Sequence, residues 1–226
     1  MKNIFKPILF STPMVKAIQN GTKTQTRRTK GLDSINEKPN NYRYDGISDD
    51  EHDSYRGCHF FEYLDKEGNP KETYTPEECP YTIGDVLWVR ETFHSIHDSD
   101  TDMFLRYGYK ADNDYKGAKW KPSIFMPREA CRIFLKVTNI RAERLMEMSK
   151  EDAVCEGVKI ASSSGKKVFF DGRICYELKG NTVTDNPIQA FQNIWENING
   201  KDSWSKNPWV WVIEFEKVER PNDFIV

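Results

Sequence analysis

Three short runs of β-branched and aromatic residues govern what this chain can fold into. They are Val86-Leu87-Trp88-Val89-Arg90-Glu91, residues 131–141 and Trp209–Val218. Each is rich in the β-branched and aromatic residues that pack well on a pleated surface. In 131–141, Ile133, Leu135, Val137 and Asn139 recur at every second position, the period of a half-buried strand. Ile83-Gly84-Asp85 is a turn feeding the first run, and 103–109 is a further strand candidate.

Helices are few and short. Thr12 and Pro13 open one over 11–20, with Met14, Val15 and Ile18 as its apolar stripe and Gly21 at its end. Ser149-Lys150-Glu151-Asp152 resembles a capping box and starts a second that stops near Glu156-Gly157. Asn186-Pro187 starts a third that turns Ile188, Phe191, Ile194, Trp195 and Ile198 inward before Asn199-Gly200. Asp171-Gly172 turns a hairpin within 168–178. Prolines bracket 121–128 and forbid a regular ladder there.

Residues 29–82 lose the pattern, being dominated by Asn, Asp, Gly, Glu and Pro. They read as a loop-rich insertion with one short hairpin around 63–74, turning at Glu67-Gly68-Asn69. The expected fold is therefore α+β, a mostly antiparallel β-barrel decorated by short helices, in a single domain over 1–226 that carries the 29–82 insertion after its first helix–strand unit.

The whole chain has a formal net charge of -2 and a pI near 6.1, yet no Asp or Glu precedes Asp33. Within that basic opening, residues 20–28 gather Gly21, Lys23, the hydroxyls of Thr22, Thr24 and Thr26, and the guanidinium groups of Arg27 and Arg28. Such a turn suits a local anion or nucleic-acid site rather than a generally basic surface. Alternation sends Arg27 and Arg28 to opposite faces of an extended segment, so one of them is expected at the site, and Arg28 is preferred. Trp120, between Lys119 and Lys121 in a polar, Pro-flanked loop, is a stacking candidate. Trp88, Trp209 and Trp211 read as core, and Arg90-Glu91 as either a buried pair or a pocket rim.

Other chemistry is excluded by spacing. The 5 Cys residues show no C-x-x-C pair and suit free thiols. Asp98-Ser99-Asp100-Thr101-Asp102 mimics a calcium loop, but Met103 and Tyr109 stand where Gly and Glu are required. No cofactor and no metal site are expected. No apolar run approaches the roughly 20 residues of a membrane span, and the short apolar run at 7–10 is too brief for a secretory signal. The expectation is a cytoplasmic protein with no membrane partner.

The motif order resembles that of the ASCH domain family, in the PUA-like superfamily of compact β-barrels. The resemblance is carried by Gly21-x-Lys23-x-x-x-x-Arg28, Gly84-Asp85 before an apolar strand, Glu151-Asp152-Ala153-x-x-Glu156-Gly157, and the closing Val212-Ile213-Glu214-Phe215. Longer phage and prophage forms share runs similar to 87–92, 121–128 and 207–212. The resemblance implies nucleoside or nucleic-acid chemistry. A short bacterial member hydrolyses the acetyl amide of N4-acetylcytidine with a Lys, a Thr and a Glu, which match Lys23, Thr26 and Glu156. It thus implies catalytic roles for those three, and substrate contacts from Gly21, Thr24, Arg28, Arg90, Trp120, Lys121 and Arg128. The partner is then a modified nucleoside or nucleotide, or RNA. An RNA- or modified-nucleic-acid-binding module without catalysis, and a ribonuclease using the same pocket, remain open alternatives, as does the oligomeric state.

Overall fold

A computed structural model describes residues 5–48, 55–113, 115–180 and 182–224. In chain order it contains β1 (Phe5–Leu9), α1 (Thr12–Gln19), β2 (Gln25–Arg28), α2 (Asp33–Asn36), β3 (Tyr42–Ile47), β4 (His59–Leu64) and β5 (Pro70–Glu77). Next come β6 (Val86–Arg90), β7 (Phe93–His97), β8 (Phe104–Tyr109), β9 (Phe134–Arg144) and α3 (Lys150–Cys155). Six two-residue strands follow: β10 (Ser162–Ser163), β11 (Lys166–Lys167), β12 (Phe169–Phe170), β13 (Arg173–Ile174), β14 (Tyr176–Glu177) and β15 (Val183–Thr184). The chain then runs through α4 (Pro187–Asn199) into β16 (Trp209–Val218). The fold is α+β, mostly sheet with few helices.

The chain divides into two compact units. The first comprises Met1–Thr24, Ile83–Thr138 and Phe215–Val226, and the second Gln25–Thr82 and Asn139–Glu214. In the first, β1 pairs in parallel with β6, from Phe5 opposite Val86 to Leu9 opposite Arg90. On its other edge β6 pairs antiparallel with β9, Leu87 facing Leu135. The Gly84-Asp85 turn has a structural reason. Gly84 takes φ +92°, which a side chain resists, and the buried Asp85 carboxylate meets Lys6 Nζ at 2.8 Å. Phe93, Met126, Cys131, Phe134 and Phe224 build this unit's core, with the Phe224 ring 4.8 Å from Phe134.

In the second unit β16 lies between β9 and β2. The core gathers Leu145, Ala153, Phe191, Trp195, Val210 and Val212. Helix α3 begins with the capping box the sequence suggests: Ser149 Oγ accepts from the Asp152 amide, and Asp152 accepts from the Ser149 amide. Asn186 caps α4 through Ile188 N, Pro187 occupies its first turn, and Gly200 ends it at φ +97°. Ile198 is exposed rather than inward, because it sits in the last turn beyond the stripe formed by Phe191 and Trp195.

Two expectations are corrected. Among the described residues no closed barrel is present. The end strands β1 and β2 are short, and β1 carries Pro7, which has no N–H for a ladder. Residues 29–82 are also not loop-rich throughout, since β3, β4 and β5 form a three-stranded antiparallel sheet. That sheet has an apolar anchor: Phe61 is fully buried with its ring 5.2 Å from Trp209, and His59 lies 4.6 Å from Trp211. The β4–β5 turn is held by the Asp65 carboxylate, which accepts from the amides of Glu67 and Asn69. No helix among the described residues is long and apolar enough to cross a membrane.

Candidate functional site

Lys23 belongs to the first unit and emerges from the end of α1. Gly21 adopts φ +72°, and the amides of Thr22 and Lys23 both donate to Ala17 O, at 2.9 and 3.1 Å. This turn buries Lys23 to 2% exposure, with its amine 5.6 Å from the centre of the Phe10 ring. Thr24 is exposed, and its carbonyl accepts from Phe215 N at 2.8 Å.

Thr26, Arg27, Arg28 and Glu156 belong to the second unit. Strand β2 pairs with β16 so that Thr26 faces Ile213 and Arg28 faces Trp211. Alternation puts Gln25 and Arg27 on one face of β2 and Thr26 and Arg28 on the other. The first face is a dense charge network. Gln25 Nε2 donates to Asp152 O and Oδ1, both at 3.0 Å. Arg27, its side chain fully buried, donates from Nη1 to Glu156 Oε1 at 3.0 Å and from Nε to Glu143 Oε1 at 3.0 Å. Its guanidinium also lies 3.6 Å from Asp152 Oδ2 and 5.9 Å from the Phe191 ring centre. Arg141 adds bonds to Glu143 at 3.2 Å and Asp152 at 3.0 Å, and a third to Glu214.

These contacts set the protonation states. Burial works to raise the Asp152 pKa, but hydrogen bonds from Gln25 and Ser149 and the Arg27 charge outweigh it, leaving the carboxyl below its usual range. Desolvation pulls Arg141 down, but Glu143, Asp152 and Glu214 reverse the sign and raise it. Desolvation lowers Arg28, against the pull of Glu156 and Tyr81. Its guanidinium donates to Arg27 O at 3.1 Å.

Thr26 is 1% exposed, and its Oγ1 has no hydrogen-bond partner among the described residues. An unsatisfied buried hydroxyl costs roughly 1–3 kcal/mol and calls for an explanation.

The other expected contact residues sit in the first unit and have packing roles there. The Arg90 guanidinium donates to Ile124 O and lies 5.4 Å from the Trp88 ring centre. Glu91 pairs with Arg132, not Arg90, through two bonds of 2.8 and 3.0 Å. Burial raises the Glu91 pKa against the opposing pull of Arg132. Trp120 is half-buried, edge-on to His94 at 4.7 Å. The backbone of Lys121 exchanges hydrogen bonds with Phe93 at 2.7 and 3.2 Å. Arg128 stacks on Phe224 at 4.3 Å.

Arg27 is the main residue that the alternation argument set aside. It holds Glu156, the residue that caps the C-terminal end of α3. Asp152 and Glu156 stand four apart at that helix, and Arg141 and Glu143 two apart on β9, so each pair shares a face, but nothing local brings those faces to Arg27. A pocket of about 480 Å³ in the second unit is lined by Asp33, Glu37, Trp195, Ser203 and Lys206 among others, and by none of the expected catalytic or substrate-contact residues. Among the described residues no group of three or more His, Cys, Asp or Glu side chains is placed to hold a metal ion. No protein-family model, curated protein or solved structure matches the chain, so the family resemblance rests on its motifs.

Proposed function

We propose that the chain is an ASCH-type, PUA-like domain acting in the cytoplasm as an amidohydrolase on an N-acylated or otherwise modified pyrimidine nucleoside or nucleotide. The observation that carries this reading is the buried Thr26 hydroxyl, which has no hydrogen-bond partner among the described residues. A hydroxyl engaged in the fold is poorly placed to attack, whereas one kept unengaged at a desolvation cost is available as a nucleophile. In this reading Thr26 Oγ1 attacks the acyl carbon as its proton passes to a general base, the role the family resemblance gives to Lys23. The C–N bond then breaks as that proton moves to the departing amine. Water hydrolyses the resulting acyl-threonine ester, releasing the carboxylic acid and restoring the hydroxyl. Glu156 accepts from Arg27, which lies on the face of β2 opposite Thr26, so its role in this reading is to hold Arg27 and the strand rather than to touch the reacting atoms. Arg28 offers a guanidinium for a phosphate or base edge.

One observation favours the alternative of a nucleic-acid-binding module without chemistry. The ion pair with Arg27 already accounts for Glu156 as part of the fold. Incubating the protein with a panel of N4-acylated and otherwise modified cytidines, read by mass change, tests both. Loss of the acyl mass supports the hydrolase, and binding without mass change supports the module.

A further inference from the structure

The run between α3 and α4 holds an exposed β-arm that the site above does not use. Two tight turns shape it, Ser164-Gly165 and Asp171-Gly172, each with both residues at positive φ. They fold β10 against β11 and β12 against β13. The arm is anchored at its base by main-chain bonds: Val168 N donates to Ala161 O, Cys175 N to Val168 O and Ala161 N to Cys175 O, at 2.8–3.0 Å. Ala161 and Cys175 are buried there. Beyond the base, Phe169 is 56% and Phe170 70% exposed. Two adjacent phenyl rings this open to solvent contribute nothing to a core.

Their neighbours are cationic. From Ser162 to Ile174 the cations Lys166, Lys167 and Arg173 face one carboxylate, Asp171, a local excess of two positive charges on a chain of net charge -2. Strand alternation sends Phe169 and Phe170 to opposite sides of β12, and Lys166 and Lys167 to opposite sides of the preceding β11. Arg173 stands directly across from Phe170 in the β12–β13 pair and is tied to Asp185 at 2.9 Å, which leaves the two exposed lysines as the cations of the arm not engaged with Asp185.

We propose that this arm binds single-stranded nucleic acid, with bases stacking on Phe169 and Phe170 and phosphates meeting Lys166 and Lys167. Stacking on an aromatic face tolerates any base, and the lysines of the preceding strand β11 match a phosphate backbone. An anionic membrane shares the charge complementarity, but rings on opposite sides of β12 cannot both enter one flat membrane surface, whereas a flexible single strand can pass over both. The inference is independent of the chemistry at Thr26: it would hold for a binding module and extends a hydrolase to substrates within a polynucleotide.

Fluorescence anisotropy of the full chain with a labelled oligouridylate of about 12 bases tests it. Binding is expected at low salt. Phe169→Ala and Phe170→Ala should each weaken it by about 5- to 150-fold, the range set by the stacking contribution of one base. Lys166→Glu and Lys167→Glu should weaken binding and reduce the salt slope by about 0.7 each. All four positions are exposed, so the variants should retain the wild-type melting temperature. No binding by the wild type at low salt would overturn the proposal. So would equal affinity in the phenylalanine variants, equal affinity for a base-free polyphosphate, or binding to phosphatidylserine vesicles but not to the oligonucleotide. Hydrolysis of a free modified nucleoside is read separately, so failure here leaves the activity at Thr26 standing.

Discussion

Acid should destabilise this protein through His59 before its carboxylates are fully protonated. The imidazole is 2% exposed, packed 4.6 Å from the Trp211 ring, with Nδ1 2.9 Å from the Tyr44 hydroxyl. Desolvation lowers its pKa from 6.5 to about 4. In the unfolded chain the same ring takes up a proton near pH 6.5. Between pH 6.5 and 4 the unfolded state therefore binds more protons, and stability falls as pH drops through that window. A shift of about 2.5 units at 1.36 kcal/mol per unit makes the full loss about 3 kcal/mol, nearly complete by pH 4 and absent above pH 7. That is a large share of the roughly 5–15 kcal/mol typical of a domain. Urea unfolding of wild type and His59→Asn from pH 7.5 to 4 isolates the effect, because other titrating groups contribute equally to both chains. Asn keeps a polar atom near Nδ1 but cannot titrate. The difference in unfolding free energy should shrink by about 3 kcal/mol on acidification. A difference that stays constant with pH would refute the reasoning.

Removing the Arg27 guanidinium should be costly, since it takes the fully buried cation from Glu156 and leaves only the partly exposed Arg141 to Glu143 and Asp152. Arg27→Ala is expected to lose about 3–5 kcal/mol in chemical denaturation, and Arg27→Lys to recover only part of it, because an ammonium cannot fork between two carboxylates. Phe61→Ala should cost about 3–5 kcal/mol by opening a cavity beneath Trp209 and Trp211, measurable as a fall in urea midpoint. If the chain is a hydrolase, Lys23→Met should cut turnover of an N4-acylated cytidine by about 10²–10⁴-fold with little change in affinity, read by steady-state kinetics beside equilibrium binding.

Strong local signals in the sequence found the elements that local chemistry determines. The capping box at Ser149, the Asn186-Pro187 start of α4, the Asp171-Gly172 turn and the bounds of β16 all depend on side chains within a few residues. Strand β1 went unread because Pro7 interrupts a five-residue run whose partner, β6, lies far along the chain. Of the β3–β5 sheet the sequence announced only the hairpin around the Glu67-Gly68-Asn69 turn, while β3 and the sheet's packing were hidden because the polar alternation gives a weak period. Phe61, buried under two tryptophans from β16, supplies what local pattern lacked. At the candidate site the motif marked Lys23, Thr26, Arg28 and Glu156. The role of Arg27 was not legible, since the strand rule predicts its face but not the four carboxylates and second arginine gathered there by β9, α3 and β16. The packing of Arg128 on Phe224 is likewise a long-range contact that no spacing announces.

The proposed hydrolase depends on the buried Thr26 hydroxyl as its nucleophile. Trapping the covalent intermediate tests it most directly: N4-acetylcytidine is mixed with excess protein, quenched in acid, and the intact mass and peptide map are read. An added acetyl group on Thr26 is expected in the wild type, and neither the adduct nor turnover in Thr26→Ala. Turnover that persists in Thr26→Ala would contradict it, as would wild-type protein that binds N4-acetylcytidine and never converts it.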